Sequence, residues 1–232
     1  MLQKISEYVK KNIFICCLIP PTLAGIIITT VIGKVNFFTV MPLFVSLIVM
    51  LLQSQANRYA FLLGGINSIF YAVVDFSFTL YSSAASALLI SFPFQIVTFI
   101  KWNKRAYKKS TKFRKLSAKG RILAAVFAIA TYALLNLIFY AFGSSYMLID
   151  NATLTLSLLN SVLTMLSFVE YPVLTLLGCG ISIGMNIAVF INNPSRLPFL
   201  IYNVYSTICV ARGMISVFRL YREQKALEIL EK

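Results

Sequence analysis

A stripe of polar and aromatic side chains begins in the apolar stretch Ser82–Ile100. Gln95, Thr98, Phe99 and Trp102 fall at positions i, i+3, i+4 and i+7, so they share one face of a helix. Amides and hydroxyls can bond the hydroxyl groups of a ribose-like solute, and aromatic rings can stack on a heterocycle. The pattern therefore predicts a binding site for a neutral or singly charged hydrophilic molecule with a flat ring.

Polar side chains recur at helical spacing in other apolar stretches and are candidates for the same site. The further residues that we expect to bind solute are Asn67, Tyr71, Asn160, Thr164, Ser182, Asn186, Asn203 and Tyr205. The alternative for each Ser, Thr or Asn is a bond to a neighbouring helix, worth about 0.6 kcal/mol. Trp102 follows Lys101 at the end of its stretch, so we expect it to anchor that helix at the membrane interface.

Reactive side chains suited to catalysis are scarce. The sequence contains no histidine, which removes the commonest general base and the commonest metal ligand. It has no HExxH motif and no paired aspartates within an apolar stretch, which argues against metallo- and aspartyl-type proteases. A Gly-Lys-Ser/Thr phosphate-binding loop is also absent. We expect no catalytic residue, no metal site and no cofactor, and therefore not an enzyme.

The composition indicates that the protein lies in a lipid bilayer rather than in water. Apolar residues make up 59% of the 232 residues and charged residues 12%, against about 45–50% and about 25% in soluble proteins. Stretches of about 17–25 apolar residues can cross a bilayer as helices. Eight such stretches are present: Asn12–Gly33, Val35–Leu52, Tyr59–Leu80, Ser82–Ile100, Ile122–Phe142, Asn151–Phe168, Tyr171–Ile191 and Pro198–Phe218.

The distribution of basic residues predicts how these stretches are oriented. Ten Lys and Arg residues and no acid lie between Lys101 and Arg121, which by the positive-inside rule places this connector in the cytoplasm. Four crossings on either side of the connector bring both termini back to the cytoplasm. We expect the basic side chains to face solvent near anionic lipid headgroups rather than to bind nucleic acid.

An internal repeat relates the third stretch to the seventh at a shift of 114 positions. The matched pairs are Leu62 with Leu176, Leu63 with Leu177, Gly64 with Gly178, Ser68 with Ser182, and Ile69 with Ile183. Segments four crossings apart point the same way, so two parallel three-helix units need one helix between them. Parallel repeats are a transporter architecture with the solute site near the midplane.

The predicted fold is therefore an all-α membrane protein with eight transmembrane helices. A peripheral first helix precedes a 3+1+3 parallel repeat. Its parts are residues 1–34 for the peripheral helix, 35–105 for the first unit, 106–145 for the basic loop and connector helix, 146–221 for the second unit and 222–232 for a cytoplasmic tail.

Three segments of the sequence resemble the PnuC family of vitamin-precursor transporters. They are LLGGINSIFYA, ALLISFPFQIVTFIKW one helix later, and ISIG in the seventh stretch. The resemblance implies a SWEET-like arrangement and facilitated diffusion of nicotinamide riboside, with thiamine, riboflavin or deoxynucleosides carried by relatives. It also implies that Gln95 and Thr98, joined by Asn67, bind the solute.

The sequence departs from the nicotinamide riboside carriers of that family at the start of the seventh stretch. Those carriers bear a tryptophan-rich segment and an asparagine there, where this chain has Pro172, Thr175 and Cys179. Tryptophan is the best cation-π partner for a pyridinium ring, so Tyr171 and other tyrosines would have to stack on the solute.

The expected function is uptake of nicotinamide riboside, or a closely related nucleoside or vitamin, across a bacterial plasma membrane. The expected mechanism is facilitated diffusion with alternating access. One alternative is a PnuC-type carrier of deoxynucleosides, thiamine or riboflavin. Another is the vitamin-binding subunit of an ATP-driven importer. The partners expected are the small-molecule solute and the lipid bilayer, and oligomer formation is compatible with the sequence.

Overall fold

The computed structural model describes residues 13–77, 87–140, 147–192 and 197–230. Almost all of these residues are helical, which confirms the predicted all-α fold. The α-helices are α1 Ile13–Ile32, α2 Phe37–Ser54, α3 Tyr59–Ser77, α4 Phe92–Lys104, α5 Ala118–Tyr140, α6 Met147–Met165, α7 Tyr171–Asn192 and α8 Leu197–Leu230. A π-helical turn, Ala87–Ser91, leads into α4. Between α4 and α5, the two-residue strands β1 Ala106–Tyr107 and β2 Ser110–Thr111 pair in antiparallel.

Three described helices contain apolar segments long enough to cross a membrane: Phe37–Ser54, Ala118–Ile138 and a segment of Leu197–Leu230. Shorter apolar segments lie in α1, α3 and α7. In α5, Leu123, Ile129 and Leu137 are 70–75% exposed, which water would penalise and lipid tolerates. The crossing count of eight stays a prediction, and residues 82–86 of the fourth predicted stretch lie outside the described residues.

Six of the described helices contact one another in a closed ring. Around it, α2 packs on α3, α3 on α4, α4 on α6, α6 on α7, α7 on α8, and α8 again on α2. The first helix packs outside the ring against α2 and α8, and α5 packs against α6. The ring contains the triplets α2–α4 and α6–α8, which meet where α2 contacts α8 and where α4 contacts α6.

The contact between α2 and α8 is one of the tightest in the fold. Tyr205, which is almost fully buried, donates a hydrogen bond to the carbonyl of Leu47 at 2.7 Å. Further along, a Cβ on Gly213 would lie 2.9 Å from the carbonyl oxygen of Gln53. Only glycine therefore permits this approach of the two backbones.

Helix α8 is longer than the sequence pattern indicates. Its 34 residues extend about 51 Å at ~1.5 Å per residue, whereas the hydrocarbon core of a bilayer is about 30 Å thick. The helix continues without a break past residue 221, where we expected a tail to begin. The extra turns reach the basic connector.

Trp102 is fully buried, so the expectation that it anchors a helix at the interface is wrong. Its indole Nε1–H donates to the carbonyl oxygen of Thr164 at 2.8 Å. Its ring makes edge contacts with Phe61 at 4.6 Å and Phe113 at 5.5 Å between centroids. The connector folds back over the end of α4 and covers the indole, a long-range contact that the local sequence does not reveal.

Residues 105–117, which we call the connector strap, join both triplets through backbone hydrogen bonds. On the side of the second triplet, the N–H of Arg114 donates to Ser167 and its carbonyl accepts from Val169, at 2.9 and 2.8 Å. On the side of the first triplet, Arg58 N–H donates to the carbonyl of Lys109 at 3.1 Å.

The strap is also held by α8. The amide of Gln224, which is buried, accepts from the N–H of Phe113 and donates to the carbonyl of Thr111, both at 2.8 Å. On the surface, Lys108 Nζ donates to the carboxylate of Glu223 at 2.7 Å, and this bond raises the pKa of the lysine. The strap is thus ordered although its basic side chains mostly face outward.

Candidate functional site

A cavity of about 280 Å³, the first cavity, lies inside the ring between α2, α3, α4 and α6. Its lining residues are Ser46, Val49, Gln53, Phe61, Gly64, Asn67, Ser68, Tyr71, Ser91, Phe94, Gln95, Thr98, Asn160, Ser161, Thr164 and Tyr202. Every one of these side chains is uncharged, and most carry a hydroxyl or an amide. The lining is therefore suited to a solute recognised by hydrogen bonds and ring contacts rather than by ion pairing.

Gln95 reaches this cavity from α4 and is held against α3. Its Nε2 donates to the hydroxyl of Ser68 at 3.0 Å, and that hydroxyl donates to the carbonyl of Gly64 at 3.0 Å. A Cβ on Gly64 would collide with Oε1 of Gln95. The missing side chain of Gly64 thus provides the space in which the carboxamide lies.

Asn67 carries the clearest unmet hydrogen-bonding capacity in the cavity. Its Nδ2 donates to the hydroxyl of Ser46 at 2.7 Å, and that hydroxyl lies 3.2 Å from the hydroxyl of Tyr71. Asn67 is 4% exposed, yet among the described residues its Oδ1 has no partner. An unsatisfied buried acceptor costs about 1–3 kcal/mol, and a donor on a solute would remove that cost.

Two threonines present mainly acceptors to the cavity. Thr98 Oγ1 donates to the carbonyl of Phe94 at 2.6 Å, and Thr164 Oγ1 donates to the carbonyl of Asn160 at 2.7 Å. Because each hydroxyl proton is already used within its own helix, the oxygen lone pairs are what remains for a solute. With Asn67 Oδ1, they favour a solute rich in hydroxyl or N–H donors.

A second cavity of about 210 Å³ lies between α6, α7 and α8. Its lining residues are Thr153, Leu156, Ser157, Asn160, Leu174, Thr175, Gly178, Cys179, Ser182, Asn203 and Ser206. Asn160 lines both cavities, and its Oδ1 accepts a hydrogen bond from Thr175 Oγ1 at 3.0 Å. The two cavities therefore adjoin at the Asn160 side chain.

The structure brings most of the predicted site residues to these cavities. Those at the first cavity are Gln95, Thr98, Asn67, Tyr71, Asn160 and Thr164. Those at the second cavity are Asn160, Ser182 and Asn203. Asn203 Nδ2 lies 3.3 Å from the hydroxyl of Ser182, a long bond that a solute could replace. The solute-binding role of these residues stays a prediction.

Two predicted aromatic residues line neither cavity. The ring of Tyr171 packs edge-on against Trp102, with centroids 6.0 Å apart, beneath the connector strap. The ring of Phe99 packs against Tyr59 at 5.7 Å. Tyr171 lies one helical turn before Thr175 of the second cavity, and Phe99 directly follows Thr98 of the first cavity, so its side chain points to a different face of α4.

Two predicted polar residues also line neither cavity, and both have partners of their own. Asn186 Nδ2 donates to the carbonyl of Ser182 one turn earlier at 2.9 Å. Tyr205 is the residue that fastens α8 to α2 through Leu47. The observed hydrogen bonds of these two residues are made to the protein itself, which is the alternative to solute binding.

Sequence reasoning missed Ser46, Ser68 and Tyr202 as cavity residues. Ser46 stands in a helix whose other polar residues lie near its ends, so no periodic stripe marks it. Ser68 appeared only as a small residue in the internal repeat. Within the described ranges, no group of three His, Cys, Asp or Glu residues could hold a metal ion.

Known membrane transporters are similar to this chain in sequence and in fold. The profile of a family described as nicotinamide mononucleotide transporter matches residues 36–216, whereas no curated protein matches the chain. The crystal structure of the vitamin B3 transporter PnuC has a similar fold, with a TM-score of 0.71 at 20% identity over 87% of this chain and 90% of that chain. Because the family profile covers most of the sequence, the chain belongs to the nicotinamide mononucleotide transporter (PnuC) family of multi-pass membrane transporters.

Proposed function

We propose that the protein is a carrier that takes up nicotinamide riboside, or a closely related nucleoside or vitamin, by facilitated diffusion with alternating access. The observation that carries this proposal is the uncharged, hydrogen-bonding first cavity, which is lined by residues of both helix triplets. Hydroxyl and amide groups suit a ribose, and Phe61, Phe94 and Tyr202 provide ring surface for a heterocycle.

The lining favours a nucleoside over its phosphate. A phosphate monoester carries a charge of about −1.5 to −2 near neutral pH, and a buried charge needs a counter-charge or a metal. All residues that line the two cavities are uncharged. Although the family description names a mononucleotide, we propose the dephosphorylated compound as the solute of this chain.

The arrangement of the helices supports a 3+1+3 parallel repeat with a movable interface. The first helix of each triplet contacts the last helix of the other, α2 with α8 and α4 with α6, as a two-fold relation along the membrane normal requires. Parallel repeats of this kind carry solute sites at their interface, and rocking of the two units exposes the site to each side in turn. We propose the bacterial plasma membrane as the location, with both termini and the connector strap in the cytoplasm.

The solute gradient alone is proposed to drive uptake. Coupled proton or sodium transport commonly uses carboxylates within the membrane, and neither cavity has one among its lining residues. A subunit of an ATP-driven importer would instead bind solute but need a second protein to move it.

Uptake by the purified protein in liposomes tests the proposal. The labelled solutes are nicotinamide riboside, thymidine, thiamine and riboflavin, with nicotinamide mononucleotide as the charged comparison. We expect saturable uptake of at least one of the four without ATP, no uptake of the mononucleotide, and no loss of uptake when ionophores collapse proton and sodium gradients. Binding without uptake would favour the importer subunit, and ionophores that abolish the uptake of an uncharged solute would show a symporter.

A carrier of uncharged deoxynucleosides is the second candidate, and one observation favours it. The chain has a single tryptophan, which is buried beneath the connector strap and outside both cavities. A cationic pyridinium ring would therefore find neither an indole nor a carboxylate among the lining residues. Competition between thymidine and nicotinamide riboside for the wild-type protein separates the two candidates.

A further inference from the structure

The internal match pairs Gly64 of α3 with Gly178 of α7, and the structure places the two glycines in opposite surroundings. A Cβ on Gly64 would strike the Gln95 carboxamide, whereas a Cβ on Gly178 would have no atom of the described residues within 4 Å. Glycine inside a helix is less favourable than alanine by about 1 kcal/mol. A glycine at either position therefore makes its helix less stable than alanine would. The surroundings indicate a different reason for the glycine at each position.

At position 64 a glycine is needed because the side chain of Gln95 occupies the space that a Cβ would take. With no Cβ in the way, Gln95 lies flat against α3 and donates to Ser68. A methyl group at this position would push the carboxamide away from Ser68 and change the direction in which Oε1 faces the first cavity. Gly64 does not need to touch a solute in order to affect binding, because it acts through Gln95.

At Gly178 no side chain from the described part of the chain approaches the position, so contact with a neighbour there does not explain the glycine. Gly178 lines the second cavity beside the polar groups of Thr175, Ser182 and Asn203. Gly180, two residues further on, is likewise free of contacts but is exposed and lines neither cavity. The open space at Gly178 therefore belongs to the cavity, while the space at Gly180 lies outside it.

The volumes indicate that a solute needs this space. Pockets for drug-sized ligands measure about 300–1,000 Å³, and the first cavity, at about 280 Å³, falls just below that range. The second cavity adjoins it at Asn160 and adds about 210 Å³. A nucleoside-sized molecule that displaces the hydrogen bond between Asn160 and Thr175 would occupy parts of both.

We propose that these glycines control solute binding in two different ways, Gly64 through affinity and Gly178 through selectivity. Gly64 is a positioning residue that seats the Gln95 carboxamide, and Gly178 is a specificity-determining residue that leaves room for solute in the second cavity. The inference rests on the proposed function, because it requires a solute that occupies both cavities.

The test for Gly64 measures solute binding to the full-length protein in detergent, with thymidine, nicotinamide riboside, thiamine and riboflavin as probes. Gly64→Ala should weaken binding of every solute that the wild type binds by at least about tenfold, a loss that corresponds to ~1.4 kcal/mol. The shorter amide of Gln95→Asn should restore part of this loss when combined with Gly64→Ala, because it leaves room for the methyl group. A purely structural role for Gly64 would not be rescued by a change at residue 95.

The test for Gly178 uses the same probes and has Gly180→Ala as its matched control. Gly178→Ala should leave thermal stability unchanged or slightly higher and weaken binding, with a loss that grows with solute size. If the wild type binds only one probe, we expect a loss of about tenfold for that probe. Gly180→Ala should bind all probes as the wild type does.

The outcomes distinguish a failure of the proposed transport function from a failure of the role proposed for one glycine. Wild-type binding of none of the probes would refute the proposed function. Wild-type binding together with unchanged binding by Gly64→Ala or Gly178→Ala would refute the role of that glycine alone. If Gly64→Ala does not fold, the double variant with Gln95→Asn decides: a folded, binding double variant supports the collision with Gln95, and an unfolded one overturns it.

Discussion

The Gln95 carboxamide is constrained on both sides in the first cavity. Its Nε2 is bonded to Ser68, and its Oε1 rests against the backbone at Gly64. A side chain whose rotamer is already held by its neighbours loses little entropy when a solute binds. Nearby, Asn67 presents a buried oxygen that has no partner within the described ranges, so the two amides together form the part of the cavity best prepared for a solute.

Replacing Gln95 by alanine is expected to weaken solute binding by roughly one to two orders of magnitude. The reason is the loss of a buried hydrogen bond of about 1.5–3 kcal/mol. The measurement is a titration of the best solute from the uptake experiment, and Gln55→Ala, an exposed glutamine after α2, is the control. Unchanged affinity in a folded Gln95→Ala protein would remove this residue from the site.

The connector strap shows how an element with many charges can still be ordered. Its basic side chains point outward, while Ser110, Thr111 and Phe113 are buried. Its backbone groups find partners in three other elements: the α2–α3 turn, the α6–α7 turn and α8. The strap thus ties the two triplets together at one end of the ring, and the proposed rocking of the triplets would have to strain or break these bonds.

Gln224→Met is expected to loosen the strap while keeping the length of the side chain. The change leaves the N–H of Phe113 and the carbonyl of Thr111 without their partner, at about 1–3 kcal/mol for each buried group. We expect a lower melting temperature in detergent and faster tryptic cleavage between residues 104 and 115. The exposed neighbour offers the control Lys225→Ala. Wild-type melting and cleavage in Gln224→Met would show that the strap does not depend on this amide.

At the scale of the whole molecule, six of the described helices form a ring and the other two pack outside it. The two triplets contribute unequally to the ring interior: α2, α3 and α4 provide most of the first cavity, and α6, α7 and α8 provide the second. Asn160 belongs to both. The proposed repeat would therefore have unequal halves, with the larger cavity lined mainly by the first triplet.

The membrane topology tests this architecture as a whole. A parallel duplication requires the connector strap and the C-terminal end of α8 to lie on the same face of the membrane. Single cysteines introduced at Lys109 and Lys225, both exposed, should react with an impermeant thiol reagent only in inside-out vesicles. The background for this experiment replaces the four native cysteines. Labelling of the two positions from opposite sides would exclude the parallel arrangement.

The sequence by itself determined the features that depend on local pattern and on bulk composition. The apolar stretches, their helical character and the basic connector follow from composition and spacing. The grouping of Gln95 with Thr98 follows from the 3.6-residue period of a single helix. The resemblance of the segments around Asn67 and Gln95 to the PnuC family was also readable from the chain, and the family match confirmed it.

Only the tertiary structure decided which helix faces meet. Ser46 bonds Asn67 from a helix with no polar stripe, Trp102 is covered by a strap that follows it in sequence, and Tyr205 turns away from the cavities toward Leu47. In a chain that is apolar nearly all round its helices, periodicity cannot distinguish a face toward lipid from a face toward another helix. Side-chain fit between distant segments makes that choice, as the contact of Gln95 with Gly64 does here.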